Sequence, residues 1–281
     1  MVKNDFPARK KTARVIAKPL IIAHRGSSLL APENTLAAFR RAIDDGAEGI
    51  EFDVRLAKDG VAVVFHDATL SRTARREGRV SDFDSAELRE FDIGSWFSEV
   101  KSKYANPEFA KERVVTLADT LTFLKGFEGL IYIELKCRDS EVSSLTKAVC
   151  RTIEKSDLIG KIIVKSFKLA VIPRVRMHCP FVRTAALFAP KIMTILRKEK
   201  HLVKIAEEFG ADEISIHFSL ATQKLMKKAE QRNLPVTIWT ADSPRWVKRG
   251  LKLGLNAIIT NNPAPLLEKR REILKGSEFK L

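Results

Sequence analysis

Short apolar runs rich in β-branched residues recur along the chain, at Leu20–His24, Gly49–Val54, Leu130–Lys136, Lys161–Phe167, Phe181–Leu187, Glu213–Phe218, Pro235–Thr240 and Ala257–Thr260. Between them lie stretches with apolar residues at helical spacing: Thr35–Asp45, Leu117–Lys125, Val142–Lys155, Leu220–Asn233 and Ser243–Leu253. Strands alternating with helices predict parallel βα units. Eight such strands in about 260 residues predict a closed (β/α)8, or TIM, barrel, for which ~250 residues is typical. An open doubly wound sheet is the alternative, but the HRGSSL that ends the first run lacks the GxGxxG turn. The second strand-to-strand step is long, about 80 residues against 20–30 elsewhere, which predicts a small inserted subdomain over 67–116 rather than a bare loop. The chain thus reads as one barrel domain, 1–281 with its core at 19–268, carrying that insert.

Polar residues inside the apolar runs sit at one end of them. His24 and Arg25 close the first strand, Glu51 and Asp53 the second, Glu134 and Lys136 the third, and Trp239 the seventh. In a (β/α)8 barrel the strand C-terminal ends form the active-site mouth, so all of these point toward one rim. After the second strand, Asp59-Gly60 predicts a two-residue type I′ hairpin. Counting back from that turn pairs Lys58 with Val61 and sets Asp53 opposite His66. Alternation then places Glu51, Asp53 and His66 on one face, and Phe52, Val54 and Phe65 on the other.

Three carboxylates converging at a barrel mouth repel one another unless a cation lies between them. Oxygen ligands without cysteine suit a hard divalent ion, Mg2+ or Ca2+, better than zinc. The competing explanation is a structural ion-pair network, Glu134–Lys136 or Glu51–Arg25. His24 and His66 suit a division of general-acid and general-base work near neutral pH. Arg25 and Lys136 add fixed positive charge suited to a phosphate. His217 faces the same rim as a pocket-lining residue, whereas His178 and His201 read as surface histidines.

Composition adds constraints. With 45% hydrophobic and 30% charged residues, the chain fits a soluble globular class and excludes collagen-like, disordered and multi-span membrane classes. No apolar run approaches the ~18–20 residues that cross a bilayer, and Val15–Ala23, interrupted by Lys18 and Pro19, is too weak for a signal peptide. Three unclustered cysteines, Cys137, Cys150 and Cys179, argue against a disulfide framework or a CxxC zinc site and for a reducing, cytoplasmic compartment. The formal charge of +15 is localised: residues 1–20 carry +5 and residues 161–204 carry +10. Such a basic surface suits anionic partners.

The motifs AHRGSSLLAPENTLAAFRRAIDDGA, GIEFDVRLAKDGVAVVFHDATLSRTA, GSWFS, IYIELK, VTIWTAD and AIITNNP span roughly residues 20–265. In these the chain resembles the glycerophosphodiester phosphodiesterase family, a branch of the phosphatidylinositol-phospholipase-C-like barrels. The resemblance implies that Glu51, Asp53 and Glu134 are divalent-metal ligands and that His24 and His66 are the catalytic acid–base pair. It implies phosphate contacts at Arg25 and Lys136, a cap at 67–116 and a pocket-wall aromatic at Trp239, for which a core tryptophan is the alternative. Asn34 or Thr35 reads as an N-cap. Two positions depart from the family pattern: Asp242 stands where a T-V-N ending is common, and Asn261 stands where an Asp is common. Neither is a metal ligand or catalytic histidine; alcohol preference and loop packing are what they put in question.

The function this implies is metal-dependent hydrolysis of small glycerophosphodiesters to sn-glycerol 3-phosphate and an alcohol, with a lysophospholipase D acting on lysophospholipids as the alternative. For the latter, Ile192, Met193, Ile195 and Leu196 amid lysines suit peripheral contact with an anionic membrane. Nucleic acid is not expected as a partner, because no aromatic-interleaved basic motif or recognition module is present.

Overall fold

A computed structural model describes residues 18–191 and 199–278. Nine strands form one sheet: β1 (Leu20–His24), β2 (Gly49–Leu56), β3 (Ala62–Val64), β4 (Leu130–Leu135), β5 (Ile162–Ser166), β6 (Arg183–Phe188), β7 (Glu213–His217), β8 (Val236–Trp239) and β9 (Ala257–Thr260). Eight run parallel in the order β1-β2-β4-β5-β6-β7-β8-β9, and β9 pairs back to β1, which closes the barrel. All eight predicted strands are present. The helices at Leu36–Asp44, Leu117–Phe123, Val142–Glu154, Gln223–Glu230 and Arg245–Leu253 fall where apolar spacing placed them.

Helices at Val171–His178, Glu199–Glu208 and Pro263–Glu278 escaped the pattern. The first carries Pro173 in its opening turn, where the missing N–H is not needed for an intrahelical bond. In the second, Leu202, Val203 and Ala206 are buried against the barrel. The lipid-facing expectation for Ile192, Met193, Ile195 and Leu196 lies outside the described residues. Among the described residues no helix is long and apolar enough to cross a membrane.

Strand parity divides the core. Phe52, Val54, Ile131, Ile133, Ile162 and Val164 face outward and pack under the helices. Ile22, Tyr132, Ile163, Ala185, Ala257 and Ile259 fill the lower barrel interior. The same inward parity, carried two residues further from Ile22, Tyr132 and Ile163, places His24, Glu134 and Lys165 in the layer above, where Glu51 and Asp53 of β2 join them.

The β2–β3 hairpin differs from the sequence reading. Its register is Val54 opposite Val64, Arg55 opposite Val63 and Leu56 opposite Ala62. Lys58 does not pair with Val61; Ala57 does, and Gly60 N–H donates to the Ala57 carbonyl at 3.0 Å. The turn is therefore a three-residue loop, Lys58–Gly60, with Gly60 at φ +81°. One residue of slip brings Phe65 opposite Asp53, with Phe65 N–H donating to the Asp53 carbonyl at 3.0 Å. Phe65 then packs into the insert, and His66 reaches the mouth because the chain has already left the strand.

The chain between β3 and the Leu117–Phe123 helix holds two short helices, Ser85–Leu88 and Ser95–Val100, and three short 3-10 segments. It has its own small core of Val63, Phe65, Leu70, Val80, Leu88, Phe91, Ile93 and Val114. A second cluster, Trp96, Phe97 and Phe109, packs on Ala31 and Ala38 and fixes the insert to the first barrel loop.

Candidate active site

The loop after β1 makes two consecutive left-handed turns, Arg25 at φ 54° and Gly26 at φ 79°. A Cβ on Gly26 would lie 2.6 Å from the Ala38 backbone, so only glycine lets the loop lie this close to the helix. The turn directs Arg25 inward. Its Nε stands 3.1 Å from Asp53 Oδ2 and its Nη1 donates to Glu33 at 2.8 Å. Pro32-Glu33-Asn34-Thr35 completes the loop. Thr35 caps the helix by accepting from Ala38 N–H at 3.2 Å. Asn34 is not the cap: held at φ 59°, it donates to Asp53 Oδ2 at 3.0 Å and accepts from Asp53 N–H at 3.1 Å.

Glu51, Asp53 and Glu134 are buried and each offers one oxygen within 4.8 Å of the others. Pairing of β2 with β4 sets Asp53 directly beside Glu134. Glu51 Oε1, Asp53 Oδ1 and Glu134 Oε1 accept no well-directed hydrogen bond. Ammonium groups instead stand at ion-pair distance: Lys165 Nζ at 2.8 Å from Glu51 Oε1, and Lys136 Nζ at 3.3 Å from Asp53 Oδ1 and in contact with Glu134. Arg25, Lys136 and Lys165 balance the three carboxylates in number. Three convergent oxygens lacking hydrogen bonds, on a donor set of carboxylates alone, fit a hard divalent cation. The ion-pair network expected as the competing explanation is present, through Lys136 and Lys165, on the same oxygens that fit a cation.

Electrostatics separate the carboxylates. Burial works to raise the Asp53 carboxyl, but Lys136, Arg25 and His66, with the Asn34 amide, hold it far below the usual range. Glu51 is likewise low, because Lys165 and His24 outweigh its burial. Glu134 is raised: burial and the charge of Asp53 prevail over Lys136.

Both histidines have Nδ1 engaged and Nε2 left for the site. His24 Nδ1 lies 2.7 Å from Asn261 Oδ1, with Nε2 3.9 Å from Glu51. His66 Nδ1 lies 2.7 Å from Asp67 Oδ1. Burial lowers the pKa of each, against the pull of Glu51 on His24 and of Asp53 on His66. Asp67 also accepts from Arg72 at 2.6 Å, and Arg72 grips Glu33 at 2.7 and 2.9 Å. A continuous chain of charges, His66–Asp67–Arg72–Glu33–Arg25–Asp53, therefore ties the insert to the carboxylates.

Trp239 stands at the mouth as the centre of an aromatic wall. Phe167 meets it edge-on at 5.5 Å and His217 at 5.4 Å. His217 lines this wall, as its strand position indicated. Lys165, Asp67 and the bond of Asn34 to Asp53 are what the sequence reading missed. Lys165 had a signal: it breaks the run IIVKS as Glu134 breaks IYIEL.

A family profile described as the glycerophosphoryl diester phosphodiesterase family matches residues 24–265. The chain belongs to that family. It is 31% identical over 255 residues to a glycerophosphodiester phosphodiesterase of Caldanaerobacter subterraneus, covering 91% of this chain and 99% of the relative. A Bacillus subtilis glycerophosphodiester phosphodiesterase is 28% identical over 252 residues, 87% of this chain and 84% of the relative. Among solved structures, an Oleispira antarctica phosphodiesterase in complex with the product sn-glycerol-3-phosphate shares the fold at TM-score 0.78 and 24% identity, with 90% of this chain and 96% of that chain covered. This member of the glycerophosphoryl diester phosphodiesterase family is accordingly an enzyme, a hydrolase of phosphoric diesters acting on glycerophosphodiesters.

Proposed function

We propose that the chain cleaves glycerophosphodiesters to sn-glycerol 3-phosphate and an alcohol, with one divalent cation, Mg2+ or Ca2+, held by Glu51, Asp53 and Glu134 and with His24 and His66 as the acid–base pair. The observation that carries this reading is the set of three buried carboxylate oxygens without hydrogen bonds, facing two imidazoles that both present Nε2. The product is the one named in the Oleispira complex, whose fold this chain shares.

When bound, the cation supplies Lewis-acid polarisation of a phosphoryl oxygen and neutralises developing charge. Arg25 and Lys136 stand over Asp53 and hold the phosphate by charge-assisted hydrogen bonds. One imidazole takes a proton from the attacking oxygen, that of water or of the glycerol 2-hydroxyl, and the other delivers a proton to the departing alkoxide. Where the 2-hydroxyl attacks, water then opens the cyclic phosphate to glycerol 3-phosphate. Both tasks need Nε2 aimed at the phosphate, and the Asn261 and Asp67 bonds to Nδ1 hold the rings that way. Trp239 and Phe167 offer an apolar wall to an organic arm of the diester. The insert, 67–116, acts as a cap and supplies Asp67 and Arg72 to the charge chain.

The deciding experiment is a coupled assay for glycerol 3-phosphate release from glycerophosphocholine, run with chelator and then with Mg2+ or Ca2+ restored. Release that stops with chelation and returns with either ion supports the reading. Full activity in chelator rejects the metal role, and no release under any condition rejects the substrate.

A further inference from the structure

A cavity of about 280 Å³ opens beside the phosphate position, between the insert and the loops after β2, β4 and β5. Glu134 and Lys136 belong both to its wall and to the carboxylate cluster, so the cavity borders the cluster. Its charged lining is Arg55, Arg79, Lys136, Arg138 and Lys168 against Glu134 and Glu141. Both carboxylates are already committed: Glu134 to Lys136, and Glu141 to Arg138, which it engages at 2.9 Å.

Lys168 pairs with Asp139 at 2.8 Å, which leaves two cations over. Arg55, half-buried, donates to backbone carbonyls only, His66 O at 2.8 Å and Lys136 O at 3.4 Å. Arg79, on the insert across the cavity, forms no ion pair among the described residues, and its backbone rather than its guanidinium meets Asp82. Burial disfavours the Arg55 charge, Asp53, Asp67 and Glu141 favour it from beyond ion-pair distance, and Arg79 opposes it. Two guanidiniums that line one cavity, neither in an ion pair with a carboxylate, suit an anion.

A phosphodiester has two arms leaving one phosphate. The aromatic wall and the basic cavity adjoin at Phe167, which meets Trp239 edge-on, lines the cavity and lies 5.6 Å from Lys136 Nζ, so an arm leaving a phosphate at Lys136 can enter the cavity. We infer that the cavity is a head-group subsite that favours diesters whose alcohol carries its own negative charge, a carboxylate or a second phosphate, with Arg55 and Arg79 as the receptor. This rests on the proposed phosphodiesterase reaction and names the substrate class that reaction takes. Arg55 serves twice, because its bonds to the His66 and Lys136 carbonyls join the subsite to the reacting groups.

The test uses three diesters of sn-glycerol 3-phosphate, made with 3-hydroxypropanoate, with its neutral isostere 3-hydroxypropanamide, and with 3-hydroxypropyl phosphate. At low ionic strength, kcat/KM is expected to be at least about tenfold higher for an anionic head than for the amide. The larger of the two anionic rates tells a carboxylate receptor from a phosphate one. Arg79→Glu is expected to lower the anion-to-amide ratio by about tenfold or more, with Arg79→Gln intermediate. Arg79 is solvent-exposed, so neither substitution disturbs packing. A wild-type ratio at or below one, or a ratio that Arg79→Glu leaves unchanged, overturns the subsite. Hydrolysis of the amide diester with no anion preference discards the subsite alone, whereas hydrolysis of none of the three overturns the underlying reaction and the subsite with it.

Discussion

Asp242 accepts from both the backbone N–H and the side-chain amide of Asn261, at 2.7 and 2.8 Å, and so turns the other amide atom, Oδ1, onto His24 Nδ1. These are the two positions that the sequence reading set apart from the motif it resembles, and they meet in space. Asn261→Asp alone sets two carboxylates face to face, and Asp242→Asn alone removes a charge-assisted acceptor. Each is expected to lower both melting temperature and kcat, and the double exchange to recover most of both. A double-mutant cycle should give a coupling above about 1 kcal/mol; simple additivity would show the pair to be independent.

Lys165 lies 2.8 Å from Glu51 and is almost wholly buried. Replacing it by Met leaves a buried carboxylate unpaired, which costs about 3–5 kcal/mol in comparable cases. Lys165→Met is therefore expected to melt well below wild type in chelator and to gain more from added Mg2+ or Ca2+ than wild type does. Calorimetric titration should show tighter cation binding in the variant. Weaker or unchanged binding would mean that Lys165 does not compete for the carboxylates.

His24→Ala and His66→Ala are each expected to reduce kcat by on the order of 10²- to 10⁴-fold while the melting temperature stays close to wild type. Asp67→Asn, which keeps an acceptor for His66 Nδ1 but loses the charge, should lower kcat with little change in KM. Near-normal turnover in either alanine variant would remove that histidine from the reaction.

Asn34 combines a left-handed backbone with two hydrogen bonds to Asp53. Asn34→Gly keeps the backbone and loses the bonds; Asn34→Ala loses both. The alanine variant should be less stable than the glycine variant by about 1 kcal/mol, as read from denaturant midpoints. Equal midpoints would show that the left-handed turn stores no strain.

Glu213 sits in the barrel interior, where it accepts from Tyr132 and Asn256. Burial pushes its carboxyl from 4.5 up to about 7, although Thr237, Arg183 and Tyr132 pull the other way. The folded protein therefore holds a proton that the unfolded chain releases. That contribution is complete below pH 4.5 and is lost as the pH rises through about 7, by at most about 3 kcal/mol. Glu213→Gln keeps one donor and one acceptor without ionising. Wild-type stability minus that of the variant should decline across this window and level off above it. A flat difference between pH 5 and 8 would place the Glu213 proton elsewhere.

The sequence alone determined the parts that depend on local order. Alternation along each strand fixed which residues face inward, and a barrel collects every strand end at one mouth. His24, Arg25, Glu51, Asp53, Glu134 and Lys136 could therefore be grouped without coordinates. The tertiary structure decided what depends on partners far along the chain. Asp242 and Asn261 bond to one another only because β8 and β9 are neighbours. Asn34 binds Asp53 across the strand–helix loop, and Lys165 meets Glu51 across the barrel interior. Arg55 and Arg79 face one cavity because the insert folds back over β2. The hairpin shows the boundary most plainly: one residue in loop length shifted the register, and His66 reached the mouth by leaving the strand. Parity is a property of neighbours in sequence, whereas contact is a property of neighbours in space.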